Sequence, residues 1–490
     1  MSETLYSEEP TLECDVLIEG VVITVDPERR VFTDGYVAIQ AGKIAGVGRA
    51  ADNRYRGRET LKGNLLVIPG LVNLHGHLVQ GVIRGMAEGA GEARGTRFMA
   101  FQFPMTDALD EEESYVSALP GIIELLRCGV TTSEDTHFTN RHKRSVDGVI
   151  RAARDAGLRL HEARLIVNDP ETTLETMRED VDTGLAEVDR VRREWNSDTI
   201  EVTTGTIGIA YVRFDDLKPI HDWTLANHAI FDIHAPSGGD QQHLAKRGWP
   251  GGSFEWLDDR GILGPNVLAG NAQVHVRPGE HDLVAARGAK ICVVPDTLFL
   301  LGSSQFEVRA WTERGVDVGI GLDGSVIAYH QNLWMAMHAI NGIQRVHDSA
   351  AAGSDVVRLV NDPNVRLYGS AEHAFELATI GGARALGWGD RIGSLEPGKD
   401  ADVVVLDMTE ALHLTPKGSL VQDLVYSGSV NTEFVKNVYV AGRKVVSDGR
   451  PVNVDVPEAI DRLDALQDKI FERLGIERFR RGETRWKWID

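Results

Sequence analysis

The sequence predicts an α/β protein in which a parallel barrel is flanked by a small β-sandwich built from both ends of the chain. In the middle, over about residues 67–397, helix-length amphipathic stretches run through glycine into β-rich runs, as in 145–167 and 308–324. Near the two ends, in 14–48 and 434–450, short β-branched runs alternate with glycine-containing turns. The repeated helix–strand unit indicates the barrel, and the hairpin-like ends indicate one sheet domain assembled from both termini.

We expect four consecutive parts of the chain. Residues 1–66 form the first part of the sandwich, 67–397 the barrel and 398–453 the second part of the sandwich. Residues 454–490 form a C-terminal helix and tail, because apolar residues recur at helical spacing in 455–475. The basic, aromatic tail RFRRGETRWKWID is expected to dock against the body or against another subunit.

Composition and charge exclude several classes of function. The 490 residues are 42% hydrophobic and 26% charged, which is typical of a globular protein. A formal net charge of -21 repels phosphate backbones and anionic lipid surfaces, so we expect neither nucleic acid nor a membrane as partner. The first residues show no signal-peptide pattern, and three widely separated cysteines are typical of buried, reduced thiols in a cytoplasmic protein.

The segment VIPGLVNLHGHL, residues 67–78, is an apolar run that ends in two histidines around one glycine. Side chains of a strand have a period of two, so His75 and His77 are expected to project from one face at the strand end. Functional groups of a parallel barrel gather at the C-terminal ends of its strands. His234 ends the run AIFDIH and Asp323 ends the run VDVGIGLD, so the sequence predicts that all four side chains meet.

Imidazole nitrogens and a carboxylate are suitable ligands for zinc, iron, cobalt or manganese. We expect His75, His77, His234 and Asp323 to hold one divalent metal ion, with zinc as the first choice. An open coordination position on such an ion lowers the pKa of a bound water to about 7, which makes that water a nucleophile at neutral pH. Asp323 can take the proton of this water and pass it to a leaving group.

Five segments resemble, in order, motifs of the amidohydrolase superfamily: PGLVNLHGH, GVTTSED, FDIH, IGLDG and ATIGGARALGWGDRIGSLEPGKDADVVVLD. The resemblance spans about residues 14–450 and is closest to the branch of cytosine deaminases and triazine hydrolases. It implies a distorted (β/α)8 barrel with a flanking β-sandwich, a catalytic divalent metal and hydrolysis of small non-peptide compounds. It also implies the four metal ligands named above, with Asp323 as the proton shuttle, and a homodimer or larger assembly.

The chain departs from this family's pattern at two strands. Deaminating members carry a glutamate three residues after the strand-5 histidine, where this chain has Ser237, a far weaker acid that we expect to contact substrate. The strand-6 histidine falls on Asn271 when counted from GPNV and nearer His275 when counted back from HDL. We favour His275 as the catalytic residue and keep Asn271 as the alternative, a substrate-binding amide. The strand-4 segment 199–211 has no lysine to bridge two metals, which favours a single ion.

His137 follows Asp135 at a predicted strand end, so it either lines the pocket and binds substrate or is a solvated loop histidine. Taken together, these features predict a metal-dependent hydrolase of a non-peptide C–N bond in a small cyclic or aromatic compound. The bond belongs to an amide, a urea-like group or a ring amino group. Two alternatives stay open: a non-hydrolytic elimination, rearrangement or dehalogenation on the same metal, and a degenerate barrel that only binds a ligand.

Overall fold

The computed structural model describes residues 11–86, 98–272, 275–301, 306–351, 369–416 and 418–476. The tail that is predicted to dock, 478–490, lies outside the described residues. Among the described helices, none combines the length and the hydropathy that a membrane span requires.

Two sheets organise the described chain. The strands are β1 (Leu12–Ile23), β2 (Val31–Gln40), β3 (Lys43–Arg49), β4 (Tyr55–Leu61), β5 (Leu65–Pro69), β6 (Leu71–Asn73), β7 (Val130–His137), β8 (Arg159–Arg164), β9 (Ile200–Thr206), β10 (Phe231–His234), β11 (Val267–Gly270), β12 (Lys290–Val293), β13 (Val318–Ile320), β14 (Val403–Asp407), β15 (Val435–Val440), β16 (Arg443–Ser447) and β17 (Arg450–Pro451). The first sheet takes strands from both chain ends, and the second contains β6 to β13 in sequence order.

The sheet from the two chain ends has the strand order β17-β16-β15-β14-β5-β1-β2-β3, with β4 paired to β1. Val67 of β5 pairs antiparallel with Val405 of β14, which joins the N-terminal and C-terminal segments. The hairpin between β2 and β3 turns at Ala41 and Gly42, both at positive φ, which is the backbone geometry that two-residue hairpins prefer. Strand β5 of this sheet ends at Pro69, and the chain begins the first barrel strand, β6, at Leu71.

The barrel is a parallel sheet in which each strand pairs with the next along the chain, from β6 to β13. Its two edges meet, because Leu74 N donates to Ile320 O at 2.9 Å and Leu322 N donates to His75 O at 3.0 Å. Helices follow the strands, as parallel connections require. The predicted parallel barrel, flanked by a sheet domain from both termini, is therefore confirmed.

Helices pack on the outside of the barrel and on the end sheet. They are α1 (Phe103–Asp107), α2 (Glu111–Arg127), α3 (Ser145–Ala156), α4 (Val181–Trp195), α5 (Phe214–Ala226), α6 (Gly238–Lys246), α7 (Ser253–Asp259), α8 (Glu280–Arg287), α9 (Pro295–Leu301), α10 (Val308–Thr312), α11 (Ser325–Ala328), α12 (Leu333–Ala351), α13 (Ala371–Glu376), α14 (Gly382–Ala385), α15 (Leu420–Ser427) and α16 (Val456–Leu474). The three cysteines are buried and free, as predicted.

The predicted terminal helix is α16, which packs against α2. Asp455 caps its N-terminus by accepting from Glu458 N at 2.9 Å. Lys469 Nζ lies 2.7 Å from Oε1 of the buried Glu113 on α2, and Arg473 Nη1 donates to Oε2 of the same carboxylate at 2.9 Å. These ion pairs attach the end of the described chain to the barrel.

Candidate active site

His75 and His77 lie just beyond β6, where the barrel closes. Leu322 N and Asp323 N both donate to the His75 carbonyl at 3.0 Å, so the residues that follow β13 lie directly against His75. The close approach needs a glycine, because a Cβ on Gly321 would lie 2.5 Å from the Cβ of His75. Barrel closure therefore places the first and last strands of the barrel at one site.

Four side chains converge at this end of the barrel. The Nε2 atom of His234 lies 2.8 Å from Nε2 of His75 and 3.3 Å from Nε2 of His77. Oδ1 of Asp323 lies 3.5 Å from Nε2 of His77. His75, His77 and Asp323 are buried and His234 is nearly so. The structure thus brings together the four residues that the sequence analysis selects as metal ligands.

The donor set fits a divalent metal ion. Thr136 donates its hydroxyl proton to Gly76 O, and His77 Nδ1 lies 2.9 Å from the Thr136 carbonyl, so Nδ1 carries the ring proton and the Nε2 lone pair faces His234. Burial lowers the pKa of His77 to about 4 and lowers the pKa of His234 well below its ordinary value. The His77 and His234 imidazoles are therefore neutral at pH 7. At these distances the lone pairs of the ring nitrogens point towards one another, and a shared cation stabilises this arrangement.

Three hydrogen bonds hold the carboxylate of Asp323. The residue has a positive φ of 61°, and its Oδ1 accepts from Gly324 N at 2.6 Å. Its Oδ2 accepts from Asn271 Nδ2 at 3.1 Å and from Thr297 Oγ1 at 3.3 Å. Burial alone would raise the pKa of Asp323, but the neighbouring His77 and His75 and the hydrogen bonds to Oδ1 from Gly324 and to Oδ2 from Asn271 bring it below its ordinary value. The group is ionised at neutral pH, as a proton acceptor must be.

Residues behind the histidines were missed by the sequence analysis. Glu134 Oε2 lies 3.5 Å from Nδ1 of His75, and both side chains are fully buried. Asp232 is also fully buried, two residues before His234 on the same strand. Glu134 and Thr136 are two residues apart on β7, so their side chains share one face of the strand. The period of two could therefore have predicted that both face the inside of the barrel. Glu134 lies behind the His75 ring without a hydrogen bond to Nδ1, and burial raises the pKa of Glu134 well above its ordinary value.

The two strand-6 candidates occupy different places. Asn271, at φ 56°, immediately follows β11 and contacts Asp323 directly. His275 is exposed, and its Nε2 would lie 3.3 Å from a Cβ added to Gly238. His275 therefore lies beside the loop after β10, at the rim, whereas Asn271 lies among the converging groups.

Ser237 is engaged by the backbone. Its Oγ accepts from Asp240 N at 3.0 Å and caps helix α6. Asp240 in turn accepts from Ala210 N at 2.9 Å, which ties the loop after β10 to the loop after β9. Burial raises the pKa of Asp240 to about 6. In this structure the Ser237 hydroxyl stabilises the helix that borders the site.

His137 lies on the other face of β7. Thr136, its neighbour, contacts His77, so the alternation of the strand directs His137 away from the converging histidines. It is fully buried against helix α3, where its Nε2 lies 2.8 Å from Ser145 Oγ. The structure thus places His137 neither among the pocket groups nor in a solvated loop.

A closed parallel barrel with three imidazoles and a carboxylate at the C-terminal ends of its strands defines a barrel metallohydrolase. The sequence model of the amidohydrolase family matches residues 66–445. The chain belongs to the amidohydrolase family, and it is a hydrolase of C–N bonds other than peptide bonds. The resemblance stated from its motifs is confirmed.

Relatives of known activity match most of the chain. It is 28% identical over 454 residues to a 5-methylthioadenosine/S-adenosylhomocysteine deaminase of Syntrophobacter fumaroxidans, covering 91% of this chain and 96% of that enzyme. It is 30% identical over 387 residues to a 5'-deoxyadenosine deaminase of Methanothermobacter thermautotrophicus, covering 78% and 82%.

Solved structures share the fold. A zinc-bound adenosine deaminase of Xanthomonas campestris superposes with a TM-score of 0.82 at 23% identity, covering 94% of this chain and 100% of that one. A zinc-bound atrazine chlorohydrolase of Arthrobacter aurescens superposes with a TM-score of 0.80 at 21% identity, covering 92% and 100%. At these identities the likeness concerns the fold.

Proposed function

We propose that the protein is a metal-dependent deaminase that hydrolyses the amino group from the heteroaromatic ring of a small molecule, of the aminopurine nucleoside class. The observation that carries the proposal is the convergence of three imidazole Nε2 atoms beside the ionised Asp323. The adenosine-derivative deaminases at 28% and 30% identity, matched over most of their length, support the choice of ring and leaving group.

The roles follow from the contacts. His75, His77, His234 and Asp323 would hold the ion, which would supply a water of lowered pKa. Asp323 accepts the proton of the attacking water and returns it to the departing amine. Asn271 fixes the Asp323 carboxylate through the 3.1 Å hydrogen bond.

The other candidate residues have different roles. His275 is exposed beside the loop after β10, where it can reach the outer part of a bound molecule. Ser237 shapes the same loop through its cap on α6. His137 supports the wall of the barrel from outside.

The direct test is an assay of ammonia release. Purified protein is incubated with adenosine, 5'-deoxyadenosine, 5'-methylthioadenosine and S-adenosylhomocysteine, and in parallel with simple amides and ureas. The proposal predicts ammonia and a deaminated ring that carries one oxygen-18 atom when the water is so labelled. Asp323→Asn protein is the matched control. If only amides or ureas were turned over, the proposed substrate would be an amide or a urea and not a ring amine. Product without solvent oxygen would overturn hydrolysis.

A second candidate is hydrolytic displacement of a halide from a similar ring. Ser237 favours it, because this hydroxyl accepts from Asp240 N and is too weak an acid to help Asp323 protonate a leaving amine. A halide leaves as an anion and needs no proton. Chlorinated purines and triazines in the same assay, with release of chloride as the readout, distinguish the two.

Cofactor number, assembly and location are further proposals. Among the described residues, the barrel mouth has one set of converging donors, which supports one ion there, and three nitrogens with one oxygen suit zinc. We expect a homo-oligomer in the cytoplasm, the latter because the three cysteines are buried and free. Metal analysis and light scattering test the first two.

A further inference from the structure

A second cluster of metal-ligand groups lies behind the barrel wall. Asp135 of β7 pairs in register with Glu162 of β8, and both side chains are buried. One ligand atom each from Asp135, His137 and Glu162 lie within 4.8 Å of one another. Glu162 and Leu160 are two residues apart on β8, so their side chains lie on the same face of the strand. Leu160 belongs to the apolar layer under the helices, so the cluster lies on the outer face of the barrel.

The two carboxylates of this cluster have no cationic partner among the described residues. Both oxygens of Glu162 and Oδ2 of Asp135 are buried without a hydrogen-bond partner in that same part of the chain. The nearby charges make ion pairs elsewhere, since Asp147 lies 2.8 Å from Arg190 and Arg164 Nη2 lies 2.9 Å from Glu179. Nε and Nη1 of Arg164, which is in register with His137, have no hydrogen-bond partner among the described residues. Two buried negative charges without compensation are strongly unfavourable.

The hydrogen bonds of His137 leave one ring nitrogen for a ligand. Ser145 donates its hydroxyl proton to Thr139 O at 2.8 Å, so at 2.8 Å its oxygen accepts from His137 Nε2. Nε2 therefore carries the proton, and Nδ1 has a lone pair. Nδ1 is buried without a partner among the described residues, and burial lowers the pKa of His137 to about 3. Protonation of the ring does not satisfy this atom at neutral pH.

We propose that Asp135, Glu162 and Nδ1 of His137 bind a second divalent cation, distinct from the ion at the barrel mouth, and that this cation is structural. Two carboxylates and one neutral imidazole match the ligand preference of zinc, manganese or iron, and their charge neutralises a divalent ion. The ion would join β7 to β8. Because Asp135 Oδ1 also accepts from Leu78 N at 2.5 Å, the ion would also support the backbone that follows His77.

A proton shared by Asp135 and Glu162 is the competing explanation. It would reduce the charge of the pair, and burial does raise the pKa of Glu162 well above its ordinary value. It would add no cation to the protein. Metal content separates the two explanations without reference to catalysis.

The experiment is metal analysis by mass spectrometry on full-length protein purified without chelator. The proposal predicts two equivalents in wild type and one in His234→Ala, which empties only the mouth. It predicts one in Glu162→Gln, which preserves the shape of the side chain. His161→Gln is the matched control, because His161 is a buried neighbour on the opposite face of β8 and should leave both equivalents. The thermal midpoint of Glu162→Gln should also respond less to added metal than that of wild type.

Two results would overturn the proposal. One equivalent in wild type and none in His234→Ala would assign all bound metal to the mouth and leave the shared proton as the explanation. Equal metal content in wild type and Glu162→Gln would exclude Glu162 as a ligand. If Glu162→Gln fails to fold, His234→Ala still decides the question, because its mutation lies outside the cluster.

Discussion

Asn271 donates from Nδ2 to Oδ2 of Asp323 at 3.1 Å, so the residue after β11 fixes the carboxylate after β13. Thr297 supports the same arrangement, since its hydroxyl lies 3.2 Å from Asn271 Oδ1 and 3.3 Å from Asp323 Oδ2. An asparagine here orients the carboxylate without taking its proton, because the amide does not titrate.

Replacing Asn271 by alanine should lower kcat about 10- to 100-fold, the usual effect of removing a group that orients a metal ligand. Metal content should stay close to wild type, because Asn271 is not a ligand. Steady-state kinetics and metal analysis check this. His275→Gln is the comparison, and a large loss of kcat there, with none in Asn271→Ala, would make His275 the strand-6 catalytic residue that the sequence favours.

Asp323→Asn should lower kcat by about 100- to 10,000-fold, because the amide cannot accept the proton of the attacking water. KM should change little if the substrate binds through other groups. The pH dependence of the residual rate should lose its acidic limb, which wild type should show. A variant that keeps more than a tenth of the wild-type kcat would exclude Asp323 as the proton acceptor.

Removing the metal with a chelator should abolish turnover, and adding zinc should restore it. His77→Ala and His234→Ala should lose the ion at the mouth, because each removes a neutral imidazole ligand. His221→Gln is a suitable control, since His221 lies on α5 and bonds Asn266 at 3.3 Å, outside the cluster. Full activity in chelated, metal-free protein would contradict the mechanism.

Ser237→Ala should lower the free energy of unfolding by about 1 kcal/mol, the usual effect of losing a helix N-cap. Ser237→Asp should keep the cap and most of this stability. Chemical denaturation measures both. If Ser237→Ala instead lost kcat strongly at unchanged stability, the hydroxyl would act on substrate directly.

Glu113 should make the stability depend on acid pH. Burial tends to raise its pKa, but Arg473 and Lys469 outweigh this and lower it from 4.5 to about 2. The ionised form is thus favoured in the folded state, so this stabilisation is complete above the unfolded value and is lost as the pH falls from 4.5 towards 2.

Thermal midpoints measured across this acid range should fall less steeply for Glu113→Gln than for wild type. Glu111→Gln, in the same turn of α2, should follow the wild-type slope. Equal slopes for wild type and Glu113→Gln would show that the contact between α16 and α2 contributes nothing to acid sensitivity.

Much of the fold could be predicted because its signals are local. The helix–strand alternation and the hairpin turns at both ends depend on residues close in sequence. The barrel and the end sheet follow from them. His75, His77, His234 and Asp323 could be selected because each stands at a predicted strand end, and a parallel barrel places all such ends on one side.

The remaining features depend on contacts between distant segments. That Asn271 contacts Asp323 while His275 lies at the rim depends on the backbone geometry after β11 and on a partner 52 residues away. The face of β7 on which His137 lies was decided by the contact between its neighbour Thr136 and His77. The sequence by itself determined the architecture and the residues that end the strands, because these follow from local periodicity. Only the tertiary structure decided which other side chains contact these residues, because register and barrel closure join segments that no local pattern relates.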